Sequence, residues 1–296
     1  MSNVSLIGIP FYTLAKYHGM GTAVATLRSA GIDGTMRRSA DAFNDMGDCD
    51  LGAIRVDSGP HNLRNFPQFL QDTDTVYRKA NLVDSEDFAF CLGGECAFTV
   101  GALAGFKDSF KGKPGMLWID AHGDFNTPET TSSGFIGGMP LAFTCGRGPK
   151  LSTLVENVKP ILQEENVVHL ASRALDPPEL KAMQDSPMRV YSAKETHKQG
   201  IASVARETAD YLGDRCDWIT CHLDVDCIDP TIIPAVNFPE PGGLTLEEVK
   251  MAVEALKNTD KLKVFDLAAY NSMMDQDRVS AQRLVNLMAE VFPPLR

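Results

Sequence analysis

The sequence predicts an α/β fold: a single-domain, three-layer structure in which helices cover both faces of a doubly wound, mostly parallel sheet. Three observations lead to this prediction. Short apolar runs of strand length recur along the chain, helical patterns alternate with them, and the runs are almost continuously apolar. Such runs are typical of strands buried on both faces, and alternation with helices is typical of parallel sheets. The 296 residues, 44% of them hydrophobic, suffice for one large core, so we expect one domain over 1–296.

The first half of the chain contains three predicted strands and three predicted helices. The first helix ends at Gly31, because glycine commonly terminates helices, and the second strand runs directly into two glycines. The second helix has apolar residues at helical spacing. In order, the elements are strand 4–10, helix 21–31, helix 65–83, strand 87–94, helix 96–106 and strand 115–120.

The second half contains four predicted strands and four predicted helices, distinguished by the same two patterns. The strands are short apolar runs, and the helices are longer segments whose apolar residues recur every three or four positions. In order, the elements are strand 166–172, helix 176–185, strand 188–193, helix 194–213, strand 217–226, helix 245–257, strand 261–270 and helix 277–292.

Three predicted strands are followed by residues whose side chains can bind metal ions or take part in catalysis. The motifs are GGEC after Leu92, DAHGD after Ile119 and DVDCIDP after Leu223. In parallel sheets, ligands bind beyond the carboxyl ends of the strands, at the point where the strand order reverses. The sequence therefore predicts a site at this edge of the sheet.

The two aspartate motifs predict a metal site. In an extended segment, every second residue points to the same side, so Asp120, His122 and Asp124 can face one point, as can Asp224 and Asp226. Crowded carboxylates repel one another without a cation. Carboxylates with imidazole suit Mn²⁺, Mg²⁺ or Zn²⁺, and the oxygen-rich set favours Mn²⁺. Either motif alone could be a polar loop, but two of them after buried strands make that interpretation improbable.

Composition excludes several classes of partner. The net charge of −11 disfavours nucleic acids and anionic membrane surfaces. No apolar run reaches the roughly 18 residues that a membrane span needs, and no signal peptide is recognisable at the N-terminus. The seven cysteines are odd in number and scattered, and several lie in apolar runs. We therefore expect buried, reduced thiols in a cytoplasmic protein.

Five motifs in order along the chain resemble the signature blocks of the ureohydrolase superfamily of arginases, agmatinases and formiminoglutamases. The resemblance covers roughly residues 4–290, and within the superfamily the chain is similar to the Nω-hydroxy-L-arginine amidinohydrolases. It implies an arginase-like fold with two Mn²⁺ ions per subunit and a homo-oligomer, trimeric or hexameric. The five motifs are GGEC, DAHGDFNTPETTSSG, SRALDPPE, HLDVDCIDPTIIPAVNFPEPGGLT and FDLAAYN.

The resemblance also implies roles for the metal ligands. Asp120 and Asp224 would bridge two ions, His122 and Asp226 would complete one of them, and Asp124 would complete the other with the residue at position 96. Asp124 would also orient the attacking water, and His122 is the second residue that we expect in catalysis. The family motif has histidine at position 96, where this chain has Cys96. A thiolate can bind a metal, although Cys96 could also be only a small buried residue at the start of a helix.

The polar run after Asp124 resembles the amino-acid-binding loop of arginases. By that resemblance Asn126, Thr131 and Ser133 bind the substrate α-carboxylate, and two acids bind its α-ammonium, Asp176 and Glu179. Hydroxyls and an amide suit a carboxylate, and carboxylates suit an ammonium group. An ordinary polar loop is the alternative.

Two family residues that handle the guanidinium are missing. Gly137 stands where the family has a proton-shuttling histidine, and Ala269 stands where it has a glutamate that pairs with the guanidinium. We expect the loss of the side chain at Gly137 to open space. Both changes favour a substrate tail that is less basic or bulkier than a guanidinium.

The sequence therefore predicts a Mn²⁺-dependent hydrolase of a linear amidine C–N bond in an arginine-like amino acid, such as Nω-hydroxy-L-arginine. The products would be an amino acid such as ornithine and urea or hydroxyurea. A formiminoglutamase-like or other guanidino-acid hydrolase is one alternative. A catalytically silent scaffold of the same fold is another, since three family residues are replaced.

Overall fold

In the computed structural model, which describes residues 3–295, the main chain forms one eight-stranded sheet. All neighbouring strands are parallel, and their order is β2-β1-β3-β8-β7-β4-β5-β6. The predicted parallel α/β sheet is confirmed. The strands are β1 Asn3–Ile9, β2 Ala42–Asp48, β3 Phe88–Gly93, β4 Pro114–Ile119, β5 Val167–Ser172, β6 Arg189–Ser192, β7 Trp218–Asp224 and β8 Leu262–Ala268.

Twelve α-helices lie between or after the strands within the described part of the chain. They are α1 His18–Gly21, α2 Ala23–Ser29, α3 Ile32–Arg38, α4 Phe66–Ala80, α5 Thr99–Ser109, α6 Pro140–Thr144, α7 Thr153–Glu156, α8 Pro177–Asp185, α9 Ala193–Gln199, α10 Ile201–Arg215, α11 Leu246–Lys257 and α12 Val279–Val291. Short 3₁₀ helices lie at Ala15–Tyr17, Cys96–Phe98, Ile136–Gly138, Glu164–Asn166, Val225–Cys227 and Ser272–Met274. None of the helices described is both long and apolar enough to cross a membrane.

The hydrophobic core consists of two layers, one on each face of the sheet. Successive side chains of a strand enter opposite layers: Val4 and Leu6 of β1 belong to one, and Ile7 and Ile9 to the other. Helices α2, α3, α10, α11 and α12 cover the first face, and α4, α5 and α6 cover the second. The three-layer prediction is therefore confirmed. All seven cysteines are buried and none forms a disulfide, which agrees with the expected reduced thiols.

The differences between the prediction and the structure include one helix and one strand that have a clear physical reason. The helix predicted over 194–213 is two helices, α9 and α10, because Gly200 between them has φ +87°, which a continuing α-helix cannot contain. The edge strand β2 has no counterpart in the prediction. Its sequence, AFNDMGD, is polar and its side chains are exposed or half-buried, so it lacks the apolar run by which the other strands are recognised.

The strand order determines where the chemistry lies. The four central strands, in the order β3, β8, β7 and β4, are those that end in GGEC, AAYN, DVDCIDP and DAHGD. Motifs separated by up to about 175 residues along the chain, from Gly93 to Ala268, therefore meet at one edge of the sheet. This edge is the one at which parallel sheets bind ligands.

Candidate metal centre and active site

The carboxyl ends of the four central strands open into one cavity of about 420 Å³. Most of the sequence-predicted site residues contribute to its walls. Those that line it are Cys96, His122, Asp124, Asn126, Thr131, Ser133, Asp176, Glu179, Asp224 and Asp226. The remaining predicted residue, Asp120, is fully buried beside them.

Asp120 and Asp224 lie side by side because β4 and β7 are paired in register up to Ile119 and Leu223. Asp120 accepts hydrogen bonds from the Trp118 indole N–H at 2.9 Å and from the His122 backbone N–H at 2.7 Å. Asp224 accepts one from the Asp226 backbone N–H at 2.7 Å. These bonds hold both carboxylates at the floor of the cavity.

His122 and Asp226 form one side of the cluster. Oxygens of Asp120 and Asp226 and a ring nitrogen of His122 lie within 4.8 Å of one another, and His122 Nδ1 is 3.1 Å from Asp226 Oδ2. Burial would lower the pKa of His122, but the two carboxylates outweigh it and raise this pKa to about 12. Burial also opposes ionisation of Asp226, yet His122 and hydrogen bonds lower its pKa on balance. The carboxylates thus draw positive charge to this position.

Cys96 and Asp124 form the other side. Cys96 Sγ donates a hydrogen bond to Asp224 Oδ2 at 2.9 Å. Burial, with the aspartates nearby, raises the pKa of the Cys96 thiol and that of Asp124 well above their usual ranges. Asp124 also has φ +49°, an uncommon conformation for a residue with a side chain, and such strain recurs at functional sites.

The donor set fits a pair of divalent cations. Four carboxylates, one thiol and the partly exposed imidazole of His122 lie in or beside one cavity, and burial with mutual repulsion raises the pKa of Asp224 as well as that of Asp124. Like charges at this spacing cannot all ionise without a counter-charge. Carboxylate, imidazole and thiolate are ligands of Mn²⁺, Zn²⁺ and related ions. These groups are able to bind metal ions.

Hydrogen-bond donors face the cavity along the loop after Asp124. The Asn126 carbonyl oxygen accepts from Thr130, which leaves its amide N–H group for the cavity and for Asp176 Oδ2, 3.4 Å away. The Thr131 hydroxyl oxygen accepts from Gly134 N–H, and the Ser133 hydroxyl oxygen accepts from Phe135 N–H. Each hydroxyl therefore keeps its proton to donate, which suits a carboxylate.

The two acids of the α8 region differ in their surroundings. Asp176, directly before α8, is exposed to solvent and lines the cavity. Glu179 is 3% exposed, and its oxygens accept from the backbone N–H groups of Phe125 and Asp176, at 2.9 and 3.3 Å. Burial raises the pKa of Glu179 to about 7. Asp176 thus meets solvent at the cavity while its side chain also caps the start of α8, whereas Glu179 holds the loop that carries Asp124.

The expectation that Gly137 opens space is wrong. An ideal Cβ at Gly137 would lie 2.3 Å from the Phe135 ring and 2.9 Å from Glu95 Oε1. The Phe135 ring, which packs edge-on against Tyr17 and contacts Phe238, occupies the space instead. A histidine could not enter here unless Phe135 moved. The cavity wall beside Gly137 is therefore aromatic.

Glu95 brings a carboxyl group to this wall that the motif comparison did not single out. It lines the cavity with Ala269 and accepts from Thr13 N–H at 2.9 Å and from the Thr13 hydroxyl at 2.5 Å. Burial raises the pKa of Glu95 to about 7. The glutamate in GGEC was visible in the sequence as a possible site residue. Its spatial neighbour Gly137 lies 42 positions later, so only the fold shows that the two are close.

A second side chain near the site that the sequence did not single out is His222. It is fully buried in β7, two residues before Asp224, within a run that reads as an ordinary strand. The sequence did contain one indication: residues two apart in a strand share a face, which places His222 on the same face as Asp224.

Comparison with known proteins agrees with this geometry. The family model described as "Arginase family" matches residues 2–293. The chain is 32% identical to an arginase of Bacillus caldovelox over 295 residues, covering 99% of this chain and 98% of that protein. It is 30% identical to an arginase of Bacillus subtilis, covering 98% and 97%. The solved Bacillus caldovelox arginase superposes with a TM-score of 0.92 at 31% identity, covering 100% of this chain and 99% of the other.

The order of the motifs, the convergence of the carboxylates and the match over nearly the whole chain thus agree. The protein belongs to the arginase family, whose members are metal-dependent hydrolases that act on guanidino C–N bonds.

Proposed function

We propose that this chain is a Mn²⁺-dependent hydrolase of a linear amidine C–N bond in an arginine-like amino acid with a tail of low basicity. Nω-hydroxy-L-arginine is the proposed substrate, and water would convert it to ornithine and hydroxyurea. The observation that carries the proposal is the asymmetry of the cavity. Its amino-acid end keeps Asn126, Thr131, Ser133 and Asp176, whereas its tail end is walled by aromatic rings beside Gly137.

The ligand set supports two ions. Cys96, Asp120, Asp124 and Asp224 would hold one, and Asp120, His122, Asp224 and Asp226 would hold the other. When bound, two such cations supply a water nucleophile at neutral pH and stabilise the charge that develops on it.

The chain's own residues would position the reactants. Asp124 lies at the cavity surface with its backbone carbonyl fixed by Leu141 N–H and Ala142 N–H, so its carboxylate can accept the proton of an attacking water. Asp176 would pair with the substrate α-ammonium, and the donors of Asn126 and Thr131 would bind its α-carboxylate. These contacts would place the tail of a bound amino acid against the metal ligands.

Mn²⁺ is expected to stabilise the folded protein. The ligands converge only in the native state, so binding free energy adds to folding stability. At Mn²⁺ concentrations about 100 times Kd, we expect Tm to rise by about 4 °C per bound ion for a chain of this size, and EDTA to reverse the rise. Differential scanning fluorimetry measures this effect. The Asp224→Asn protein is the control and should show a smaller shift; an unchanged wild-type Tm would contradict the metal site.

The substrate is tested by comparing two tails on the same amino acid. L-Arginine carries a guanidinium with a pKa above roughly 12, whereas the N-hydroxyguanidine tail is less basic, and both release the same ornithine amine. The site lacks the histidine shuttle, and loss of a proton-transfer group typically costs about 10²–10⁴ in rate. We therefore expect kcat/KM for Nω-hydroxy-L-arginine to exceed that for L-arginine by at least about tenfold, or roughly 1.4 kcal/mol in barrier. Steady-state kinetics with Mn²⁺-loaded enzyme measures both values.

L-Arginine is the second candidate substrate, and Glu95 is the observation that favours it. This carboxyl lies beside Gly137 at the tail end and could neutralise a guanidinium in place of the glutamate absent at Ala269. Equal or better turnover of L-arginine would overturn the proposed substrate. The variant Glu95→Gln then separates the two cases, since it should impair L-arginine selectively only if Glu95 has taken over that role.

A further inference from the structure

We propose that His222 is a metal ligand on the Cys96 side of the centre, where it supplies the imidazole that the family motif has at position 96. The inference rests on the proposed two-ion function. His222 lies on β7 two residues before Asp224, so both side chains point to the same face of the sheet. It is fully buried and lies close to Cys96 and Asp120.

The position of His222 matches that of a ligand. One of its ring nitrogens, a carboxylate oxygen of Asp120 and Cys96 Sγ lie within 4.8 Å of one another. Ligand atoms that share an ion at about 2.0–2.3 Å can be at most roughly twice that distance apart. The three atoms therefore fit around a single cation with little rearrangement.

One hydrogen bond and one nearby carboxylate indicate which nitrogen of His222 is available. Its Nδ1 lies 3.4 Å from Thr99 Oγ1 and 3.5 Å from Asp266 Oδ2. Thr99 donates its own proton to the Cys96 carbonyl at 2.6 Å, so its oxygen can only accept from His222. Asp266 as a carboxylate also only accepts. Both neighbours therefore favour the tautomer with a proton on Nδ1 and a lone pair on Nε2.

His222 Nε2 has no hydrogen-bond partner among the described residues. A buried polar atom left unpaired costs about 1–3 kcal/mol, which a cation would offset. Asp266 is fully buried on β8, opposite His222 in register. A carboxylate behind a histidine is the arrangement that commonly orients metal-binding imidazoles. Trp118, which stacks on the ring at 3.9 Å and bonds to Asp120, holds the imidazole in place.

The test measures Mn²⁺ binding by the intact protein after removal of one imidazole. His222→Phe keeps a ring against Trp118 but removes both nitrogens. We expect calorimetry and elemental analysis to show two ions in the wild type, with the weaker site losing at least about tenfold in affinity in His222→Phe. His169→Phe is the matched control, because His169 is fully buried beside Trp118 on the opposite strand but belongs to no group of three potential ligands in the described chain.

The same His222→Phe substitution in a Cys96→His protein distinguishes metal ligation from a structural role. Cys96→His restores the imidazole of the family motif, so there His222→Phe should change Mn²⁺ affinity by less than about threefold. Equal losses in both backgrounds, or wild-type affinity in His222→Phe, would overturn the inference. If the wild type binds no divalent cation, the proposed function fails as well; if it binds two ions regardless of His222, only this inference fails.

Pulsed EPR provides a readout that does not depend on how the His222 variant folds. With one equivalent of Mn²⁺ and ¹⁵N-labelled histidine, His122→Asn should keep a nitrogen coupling, because His222 remains as an imidazole ligand. Loss of all nitrogen coupling in His122→Asn, with Mn²⁺ still bound, would exclude His222 from the metal.

Discussion

Replacement of Asp224 by asparagine is expected to lower kcat by at least about 10³-fold, or roughly 4 kcal/mol in barrier. Asp224 lies between the two sides of the centre: its Oδ2 accepts from Cys96 and its Oδ1 from the Asp226 backbone. Loss of its charge would weaken the site for both ions at once. An amide of the same size keeps the packing, so the loss reports on charge and ligation.

The measurement combines steady-state kinetics with metal analysis of the purified Asp224→Asn protein. Asp229→Asn is the matched control, since Asp229 belongs to the same DVDCIDP loop but bonds to Thr231 and Gly242, and it does not line the cavity. It should keep activity within about threefold. An Asp224→Asn enzyme that retains a tenth of the activity with both metals bound would refute a bridging role.

Replacement of Asp176 by asparagine is expected to lower kcat/KM by about 10²-fold for an α-amino acid substrate. Asp176 is the exposed acid at the amino-acid end of the cavity, and Asn126 Nδ2 lies 3.4 Å from its carboxylate. A hydrogen bond between charged groups contributes about 1.5–3 kcal/mol, more than a neutral one. The effect should therefore depend on a positive charge at the substrate α-nitrogen.

The discriminating measurement uses a second substrate with the same tail and no α-amino group. Asp176→Asn should lower kcat/KM for that compound by less than about threefold. Asp185→Asn, at the far end of α8 and paired with Lys181 at the surface, should leave both substrates unaffected. Equal losses on both substrates would mean that Asp176 supports the loop structure instead of binding the ammonium.

Local patterns predicted most of the fold. All seven predicted strands are present, and the strand predicted over 115–120 is Pro114–Ile119. Buried parallel strands are continuous apolar runs, so composition alone reveals them. The prediction missed the edge strand β2, because one of its edges is unpaired and its side chains meet solvent, so its sequence is not apolar. The prediction also missed the break at Gly200. A single glycine can occur within a helix, and only its positive φ shows that the helix ends there.

The sequence by itself determined which types of potential metal ligand are present and which strand ends they follow. A motif such as DAHGD is local, and its two-residue spacing directs the side chains to one side. Only the tertiary structure decided which groups from different strands meet: Glu95 and Phe135 at Gly137, and His222 with Cys96. The reason is physical. Strand order and register bring β3, β8, β7 and β4 together, and these long-range pairings leave no periodic trace in the segments that they join. A histidine inside an apolar strand is therefore interpreted as an ordinary core residue until its spatial neighbours are known.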